Sequence, residues 1–320
     1  MTLVAATLLL FGGIAALAVA LDPFDTGRFA LLRVRGVPDQ GPRMAHASRG
    51  RDPQFDGVII GNSHIQLISP ERLAGATGLR FVSLAVPATG PKEQFALLAY
   101  FLRHRTGPTR ALVLGTDAYW CTDDPEFKNA TPFPFWLYDP SPIAYVRGLI
   151  RTDTLERLPQ RIQYALGQSS RRRARPDGYW DYEQDPRWPA QTPEAQLAAR
   201  GLAGKLNETG RFPAIDRLAL VLSGLPADVD VVLVRPPAYI TAQAKPGTPL
   251  AASEAACVAA LQRVAAGRPR TTLINWQIDR PENRLADNYL DHTHYRGTLA
   301  KAVERDIAQA LARHSGEAKR

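Results

Sequence analysis

The chain has 320 residues, of which 45% are hydrophobic and 22% are charged, a composition that excludes a disordered, collagen-like or coiled-coil protein. Its two cysteines, Cys121 and Cys257, exclude a disulfide-rich scaffold and a CxxC zinc or redox module, and the sequence leaves open whether they pair. The formal net charge of +8 favours anionic neighbours such as phospholipid, acidic glycan or nucleic acid, and the mean hydropathy of -0.21 excludes a multi-span membrane protein.

The first predicted element is an apolar membrane segment. No residue in Leu3–Leu21 is charged, and a helix of this length crosses a hydrocarbon core of about 30 Å. The segment is either a retained anchor or a signal peptide cleaved after Ala18-Val19-Ala20. Arg28, Arg33 and Arg35 follow it closely and weigh against export of what comes next. We nevertheless expect an anchor with the domain outside, because of the chemistry predicted further along the chain.

A parallel α/β domain is predicted after this segment. Residues 22–55 are rich in Pro, Gly, Arg and Asp and predict a linker, and residues 315–320 predict a tail. Between them, short apolar runs typical of buried strands alternate with helical patterns, which predicts βαβ units. The strand-like runs cover residues 57–60, 81–86, 111–114, 229–234 and 271–274, and the helical patterns include 93–105, 251–266 and 299–313. We therefore predict a flavodoxin-like three-layer sandwich over residues 56–314 with a mostly parallel five-stranded sheet.

A long insertion is predicted between the third and fourth strands, over about residues 118–212. Connections of this length are often functional, for instance as lids. The insertion contains an aromatic run, Pro132–Tyr138, which is either a small core or a sugar-binding platform. It also contains four arginines within residues 171–175, which either bind phosphate or acidic glycan or form a solvated loop.

The candidate site residues follow the predicted strands, where ligands bind in open α/β sheets. Ser63 follows the first strand in Gly61-Asn62-Ser63-His64, at a turn that can project its hydroxyl into a crevice. A serine needs a base to become a nucleophile, and His294 follows the fifth strand. Asp291, three residues before His294, can hold the Nδ1 side of that ring, although it could also cap the last helix. The sequence therefore predicts a Ser63–His294–Asp291 triad.

These residues resemble the SGNH/GDSL hydrolase superfamily, particularly its membrane-anchored bacterial envelope branch of acylesterase-like and O-acyltransferase-like proteins. Gly61-Asn62-Ser63 resembles the first sequence block, with Asn62 in place of the usual Asp, and Asp291-x-x-His294 resembles the last. Gly90 stands at the glycine of the second block, and Gly115-Thr116-Asp117 stands at the third, where the family has Gly-x-Asn-Asp. The resemblance covers residues 55–117 and 228–313.

The resemblance implies a mechanism and a setting. Ser63 would attack an ester carbonyl while His294 takes its proton and Asp291 orients the imidazole. The backbone amides of Ser63 and Gly90, with Thr116 or Asp117, would form the oxyanion hole. The substrates would be acyl esters, acetyl esters above all, of cell-envelope polysaccharides or lipids. The protein would be a single-pass protein of the cytoplasmic membrane with its domain on the periplasmic side.

Three further side chains are candidates for contact with substrate. Asn62 and His64 flank Ser63, and Trp120 lies shortly after the third strand. His64 either touches substrate or hydrogen-bonds the turn. Cys121 is close enough to the same strand end to be considered as a nucleophile, but a buried small apolar residue is the commoner role.

A second hypothesis is a non-catalytic envelope module of the same fold that binds a glycan or lipid, or that scaffolds a membrane acyltransferase. Asn62 and Asp117 favour it, whereas the complete Ser63, Asp291 and His294 set favours an enzyme. The sequence has no P-loop, no dinucleotide-binding GxGxxG motif and no HExxH motif, so no cofactor and no metal are expected. Nucleic acid is not an expected partner of an exported domain.

Overall fold

The computed structural model describes residues 2–29, 34–124, 131–189, 191–199 and 203–317. The chain forms two compact units. Unit 1 comprises Met1–Pro53, Ala96–Thr106 and Pro132–Gly178, and unit 2 comprises Gln54–Phe95, Gly107–Thr131 and Tyr179–Arg320. Of the three arginines that follow the apolar segment, Arg33 lies outside the described residues.

The helices and strands alternate along much of the chain. The strands are β1 Gly57–Ile60, β2 Phe81–Ser83, β3 Ala111–Gly115, β4 Asp230–Arg235 and β5 Thr271–Asn275. The helices are α1 Thr2–Leu21, α2 Pro42–Gly50, α3 Pro70–Thr77, α4 Pro91–Arg103, α5 Phe135–Tyr138, α6 Pro142–Leu149, α7 Thr152–Leu155, α8 Leu158–Ala165, α9 Glu194–Ala199, α10 Pro213–Ser223, α11 Pro249–Ala266 and α12 Gly297–Glu317.

Unit 2 contains a five-stranded sheet in the order β2-β1-β3-β4-β5, with every strand pair parallel. The prediction of an α/β fold with a mostly parallel five-stranded sheet is therefore confirmed. Every residue of β1 to β4 is buried, as expected for continuous apolar runs in a parallel sheet. The edge strand β5 is only partly buried.

Residue spacing explains why α12 covers the sheet. Leu299, Val303, Ile307 and Leu311 recur every four residues and are all buried in the main core, so one face of the helix is apolar. The helices predicted at 93–105, 251–266 and 299–313 correspond to α4, α11 and α12. Each begins two residues earlier than predicted, and α4 and α11 have proline in their first turn.

The two cysteines form a disulfide in unit 2. Cys121 ends a 3₁₀ turn, Ala118–Cys121, that follows β3, and its partner Cys257 lies in α11. Both are fully buried. This pairing answers the question that the sequence left open, and it gives Cys121 a structural role.

Unit 1 contains the apolar helix α1, which is long and apolar enough to cross a membrane over Leu3–Leu21. The segment predicted as a linker, 22–55, is folded where the structure describes it. It contains α2, and the side chains of Asp22, Asp25 and Thr26 are buried. Its polar groups are satisfied inside unit 1, as in the hydrogen bond from the Tyr145 hydroxyl to Asp22 at 2.7 Å. Where the structure describes it, the segment predicted as a linker therefore packs as part of unit 1.

The segment between β3 and β4 contributes to both units. The aromatic run of unit 1 is a small core, since Phe133 stacks on Tyr138, and Leu137 and Tyr138 are buried. Arg171, Arg172 and Arg173 are exposed, and Arg175 pairs with Asp177. From Tyr179 onward the chain belongs to unit 2, and residues 125–130, 190 and 200–202 of this segment lie outside the described part.

Candidate active site

A tight turn at the carboxyl end of β1 positions Ser63. Ser63 opens the 3₁₀ turn Ser63–Ile65, which Asn62 caps by accepting a hydrogen bond from the His64 amide at 3.0 Å. At Gly61 any Cβ would lie 2.5 Å from the Cγ2 atom of Ile65. Glycine is therefore required before the capping residue, because a side chain there would push the turn apart.

Ser63, His294 and Asp291 form a continuous hydrogen-bonded relay. His294 Nε2 lies 2.9 Å from Ser63 Oγ, and His294 Nδ1 lies 2.9 Å from Asp291 Oδ2. The structure thus brings together the three residues predicted as the triad, although 231 positions separate Ser63 from His294. This is the geometry of a nucleophile, a base and a group that orients the base.

The loop before α12 holds this base rigidly. Asp291 Oδ1 accepts hydrogen bonds from the backbone amides of Thr293 at 2.9 Å and His294 at 2.8 Å. A pairing of Tyr289 with Tyr295 and a hydrogen bond from the Leu290 amide to the His294 carbonyl close the loop. These hydrogen bonds therefore fix the backbone from which the His294 side chain projects.

Burial of Asp291 raises the pKa of its carboxyl, but the hydrogen bonds from the His294 ring and from two backbone amides lower it more. The pKa of Asp291 is therefore well below its ordinary value. An ionised Asp291 accepts from Nδ1–H of His294. That tautomer leaves the Nε2 lone pair facing the Ser63 hydroxyl, as a general base requires.

Aromatic rings surround His294 in unit 2. The ring centroid of Trp188 lies 5.4 Å from that of His294, and Tyr182 presents an edge at 5.7 Å. The Tyr182 hydroxyl donates to the Tyr295 carbonyl at 2.8 Å. Sequence reasoning missed both residues, and the one available signal was the aromatic content of the segment after Tyr179. These rings pack against the imidazole, which keeps about a fifth of its side chain exposed.

A second imidazole–carboxylate pair lies beside the triad. His64 Nδ1 is 3.0 Å from Asp117 Oδ2, and the His64 and His294 rings meet edge to face at 5.2 Å. Asp117 also accepts from the Asn62 side-chain amide and from the Tyr119 backbone amide. Asp117 therefore holds Asn62 and His64 in place. This differs from its predicted role at the oxyanion hole, which an acceptor-only carboxylate does not suit.

The other predicted oxyanion-hole groups are unequally placed. The Gly90 amide donates to Glu93 Oε2 at 2.9 Å. The Thr116 amide and hydroxyl are both bonded to the Val234 carbonyl, so Thr116 extends the sheet and does not face a ligand. Over the residues that the structure describes, the Ser63 amide makes no hydrogen bond. Of the predicted donors, Ser63 N–H is thus the one left open.

Glu93 was missed by sequence reasoning, although a signal for it was present. Gly90 precedes the first residue of α4 and Glu93 is the third residue of that helix, which is the spacing of the acidic half of a capping box. A carboxylate at this position reaches back to the amide of the capping residue. The helix cap and an oxyanion hole therefore compete for the same N–H group.

Asn62 and Trp120, two of the three predicted substrate contacts, are used within the fold. Trp120 is 1% exposed, and its indole N–H donates to Gln94 Oε1 at 2.9 Å. Asn62 is also buried and bonded at both ends of its amide. Substrate contact is therefore not the role of Trp120 here, whereas His64 keeps about a fifth of its side chain exposed.

Among the described residues, no group of three or more His, Cys, Asp and Glu side chains is arranged to hold a metal ion. No protein-family model matches the chain, and no curated protein matches it either.

Proposed function

We propose that the protein is a serine-dependent acylesterase or O-acyltransferase of the SGNH/GDSL type. The observation that carries this proposal is the relay from Ser63 through His294 to Asp291, which stands where parallel strands end. The all-parallel sheet with strand order β2-β1-β3-β4-β5 supports a flavodoxin-like layering. The segment between β3 and β4 then counts as the insertion of that fold.

The relay supports a two-step acyl transfer. Ser63 Oγ attacks the ester carbonyl carbon as His294 Nε2 takes the hydroxyl proton, and Asp291 stabilises the imidazolium. The tetrahedral oxyanion accepts from the open Ser63 amide, a donor worth about 3 kcal/mol in such sites. Collapse expels the alcohol, which leaves with the proton from His294. The acyl-enzyme then passes its acyl group to water or to a sugar hydroxyl, with His294 again as base.

An exported setting fits two independent features. The helix α1 is suited to cross a membrane. The buried disulfide between Cys121 and Cys257 is typical of oxidising compartments and rare in the cytosol. We therefore propose a single-pass protein of the cytoplasmic membrane with unit 2 on the periplasmic side. On the resemblance of its motifs, its substrates are acetyl or other acyl esters of envelope glycans or lipids.

The alternative is a non-catalytic module that binds a glycan or lipid or scaffolds a membrane acyltransferase. Two observations favour it: the Gly90 amide is bonded to Glu93, and Asp117 stands where the family has an oxyanion donor. With a single donor, the site would stabilise the oxyanion less well. The complete relay weighs more heavily, because it stands where parallel strands end and keeps about a fifth of the His294 side chain exposed, as a base that meets substrate requires.

Labelling with a fluorophosphonate tests the proposal, since the probe needs only an activated serine. The full chain is labelled in detergent beside Ser63→Ala and His294→Ala, with Ser223→Ala as a matched control. Ser223 is an exposed serine at the end of α10 whose hydroxyl donates to the Leu220 carbonyl of its own helix. Labelling of the wild type and of Ser223→Ala, lost in the other two, supports an enzyme. A folded wild type that takes no label favours the binding module.

A further inference from the structure

The net charge of the protein is confined to one of its two units. Unit 1 contains 16 arginines, no lysine and 8 acidic residues, so it accounts for the entire formal charge of +8. Unit 2 contains 23 basic and 23 acidic residues. The basic unit is also the one that contains the apolar helix α1. A membrane-spanning helix and a positive charge of this size in one unit point to the same partner, an anionic lipid surface.

The apolar helix runs directly into folded protein. Ala18 and Leu21 are buried, and the five residues after Leu21 are buried as well. The buried guanidinium of Arg161 donates to the Leu21 carbonyl at 3.4 Å and to the Gly36 carbonyl at 2.6 Å. The residues directly after α1 are thus packed into unit 1 and do not form an exposed spacer. With α1 as the membrane anchor proposed above, on which this inference rests, the surface of unit 1 around the end of α1 lies where that helix leaves the bilayer.

Two short helices that contact the end of α1 carry exposed apolar side chains. On α6, Tyr145, Gly148 and Leu149 face inward, while Ile143 is 64% exposed, and Ile150 at its end is 48% exposed. On α8, Leu158 and Arg161 are buried. Its outer side presents Ile162, 38% exposed, and Leu166, 65% exposed. Beside a membrane-spanning helix, the acyl chains of the bilayer can cover such exposed apolar side chains.

Basic side chains accompany this apolar surface. Arg147 lies on α6 one turn after Ile143 and is exposed, and Arg151 follows Ile150 and is exposed too. Among the described residues, Arg147 makes no ion pair within the protein. An apolar surface bordered by arginine is typical of elements that lie in the headgroup region of an anionic bilayer.

We propose that α6 and α8 form a membrane collar, defined by Ile143, Ile150, Ile162 and Leu166. The collar lies in the interface beside the end of α1, with these four side chains below the headgroups and Arg147 and Arg151 at the phosphates. Its partner is a bilayer that contains anionic phospholipid. The proposal is independent of the chemistry at Ser63.

Depth-dependent fluorescence quenching tests the collar. Because both native cysteines are in the buried disulfide, a single added cysteine is the one thiol that a fluorophore labels. The full chain carries Ile143→Cys, Ile162→Cys or Leu166→Cys in phosphatidylglycerol-containing nanodiscs, with or without brominated acyl chains. Leu220→Cys is the control, since Leu220 is an equally apolar, 74% exposed residue of unit 2.

The collar predicts that bromolipid lowers the fluorescence of all three labels about twofold or more and leaves the Leu220 label unchanged. Quenching should weaken when phosphatidylglycerol is replaced by phosphatidylcholine, and also in an Arg147→Glu, Arg151→Glu background. If bromolipid does not lower the fluorescence of the three labels, or lowers that of the Leu220 label equally, the proposal is overturned. If quenching is the same in phosphatidylglycerol and phosphatidylcholine, the assignment of an anionic partner is overturned. Unchanged thermal denaturation shows that each variant is folded.

Discussion

The relay of Ser63, His294 and Asp291 has a counterpart in the same unit, formed by Thr272, His314 and Asp230. His314 Nε2 lies 2.9 Å from Thr272 Oγ1, and His314 Nδ1 lies 3.0 Å from Asp230 Oδ1. Hydroxyl, imidazole and carboxylate are thus linked over the same distances in both places. The distances between these three groups therefore do not by themselves identify a nucleophile.

The surroundings separate the two relays. Asp230 is the first residue of β4 and Thr272 the second residue of β5, so this relay lies at the amino ends of the strands, away from the edge where ligands bind. The His314 side chain is 7% exposed, against 20% for His294. Asp230 is also paired with Arg270 at 2.9 Å, whereas the carboxylate of Asp291 serves His294 and backbone amides. The relay of His314 is suited to fasten α12 to the sheet, and that of Ser63 is suited to meet a substrate.

The largest expected effect comes from Asp291→Asn. The substitution keeps the shape of the loop but favours the wrong tautomer of His294, so we expect turnover of an aryl acetate to fall by about 10⁴-fold. The same change at the other relay, Asp230→Asn, should leave turnover within about threefold. Steady-state kinetics of the two variants check this. Equal losses in both would mean that the relay of Ser63 has no special role.

For the free energy of unfolding, the relay of His314 should matter where it did not matter for turnover. Asp230→Asn leaves the buried His314 and the Arg270 guanidinium without their carboxylate, and we expect a loss of about 3 kcal/mol in the free energy of unfolding. Thr272→Val removes one hydroxyl from the same relay and should cost about 1 kcal/mol. Denaturation monitored by tryptophan fluorescence measures both. If Asp230→Asn were as stable as the wild type, the relay of His314 would not fasten the fold.

The parts of this fold that could be predicted are those encoded over a few neighbouring residues. Strands buried on both faces are continuous apolar runs, which makes β1 to β4 recognisable, whereas β5 is only partly buried and follows from the run at 271–274. Asp291 and His294 are three residues apart, and the ends of parallel strands meet at one edge, so the triad could be assembled without coordinates. The relay of His314 was invisible, because its members at 230, 272 and 314 have no local pattern.

Composition does not reveal hydrogen bonds between polar groups that are far apart in the sequence. Residues 22–55 have the Pro, Gly, Arg and Asp content of a linker, but Arg49 bonds to the Arg175 carbonyl at 2.7 Å and the Tyr145 hydroxyl bonds to Asp22. No sequence pattern shows such pairings. The position of Trp120 after β3 predicts that it lies near the site, and only the packing reveals that its ring is buried against Phe95.

A smaller effect on kcat/KM is expected from substitution of Glu93. It tests whether the Gly90 amide can complete an oxyanion hole beside Ser63. Glu93→Ala frees the Gly90 amide, and we expect kcat/KM to rise about tenfold if this amide meets the oxyanion. Glu93→Gln keeps an acceptor for the helix cap but removes the negative charge, and should give a smaller rise. The cap lost in Glu93→Ala costs about 1 kcal/mol of stability.

Rates of fluorophosphonate labelling and of aryl acetate hydrolysis measure the effect of Glu93. Lys92→Ala is the control, since it changes the neighbouring charge of α4 and leaves the Gly90 bond intact. A folded Glu93→Ala protein with unchanged rates would show that Gly90 does not serve the oxyanion. The Ser63 amide would then be the one donor left from the predicted set.

The smallest expected effect is the contribution of the Asp291 carboxyl to the pH dependence of the stability of the folded protein. Its pKa is lower in the folded protein than the value of about 3.9 for an unfolded aspartate, because the His294 ring and backbone amides outweigh the cost of burial. A depressed folded pKa contributes stability that is fully present above the unfolded pKa and is lost as the pH falls through the folded one. Asp291→Asn should therefore lower the Tm at neutral pH, and the difference from the wild type should shrink below about pH 4. Ser63→Ala, which removes no titrating group, should differ from the wild type by a constant amount over the same range. If the Asp291→Asn difference were also constant, the hydrogen bonds to Asp291 would not favour its ionised form, and the Nδ1–H tautomer of His294 would lose its support.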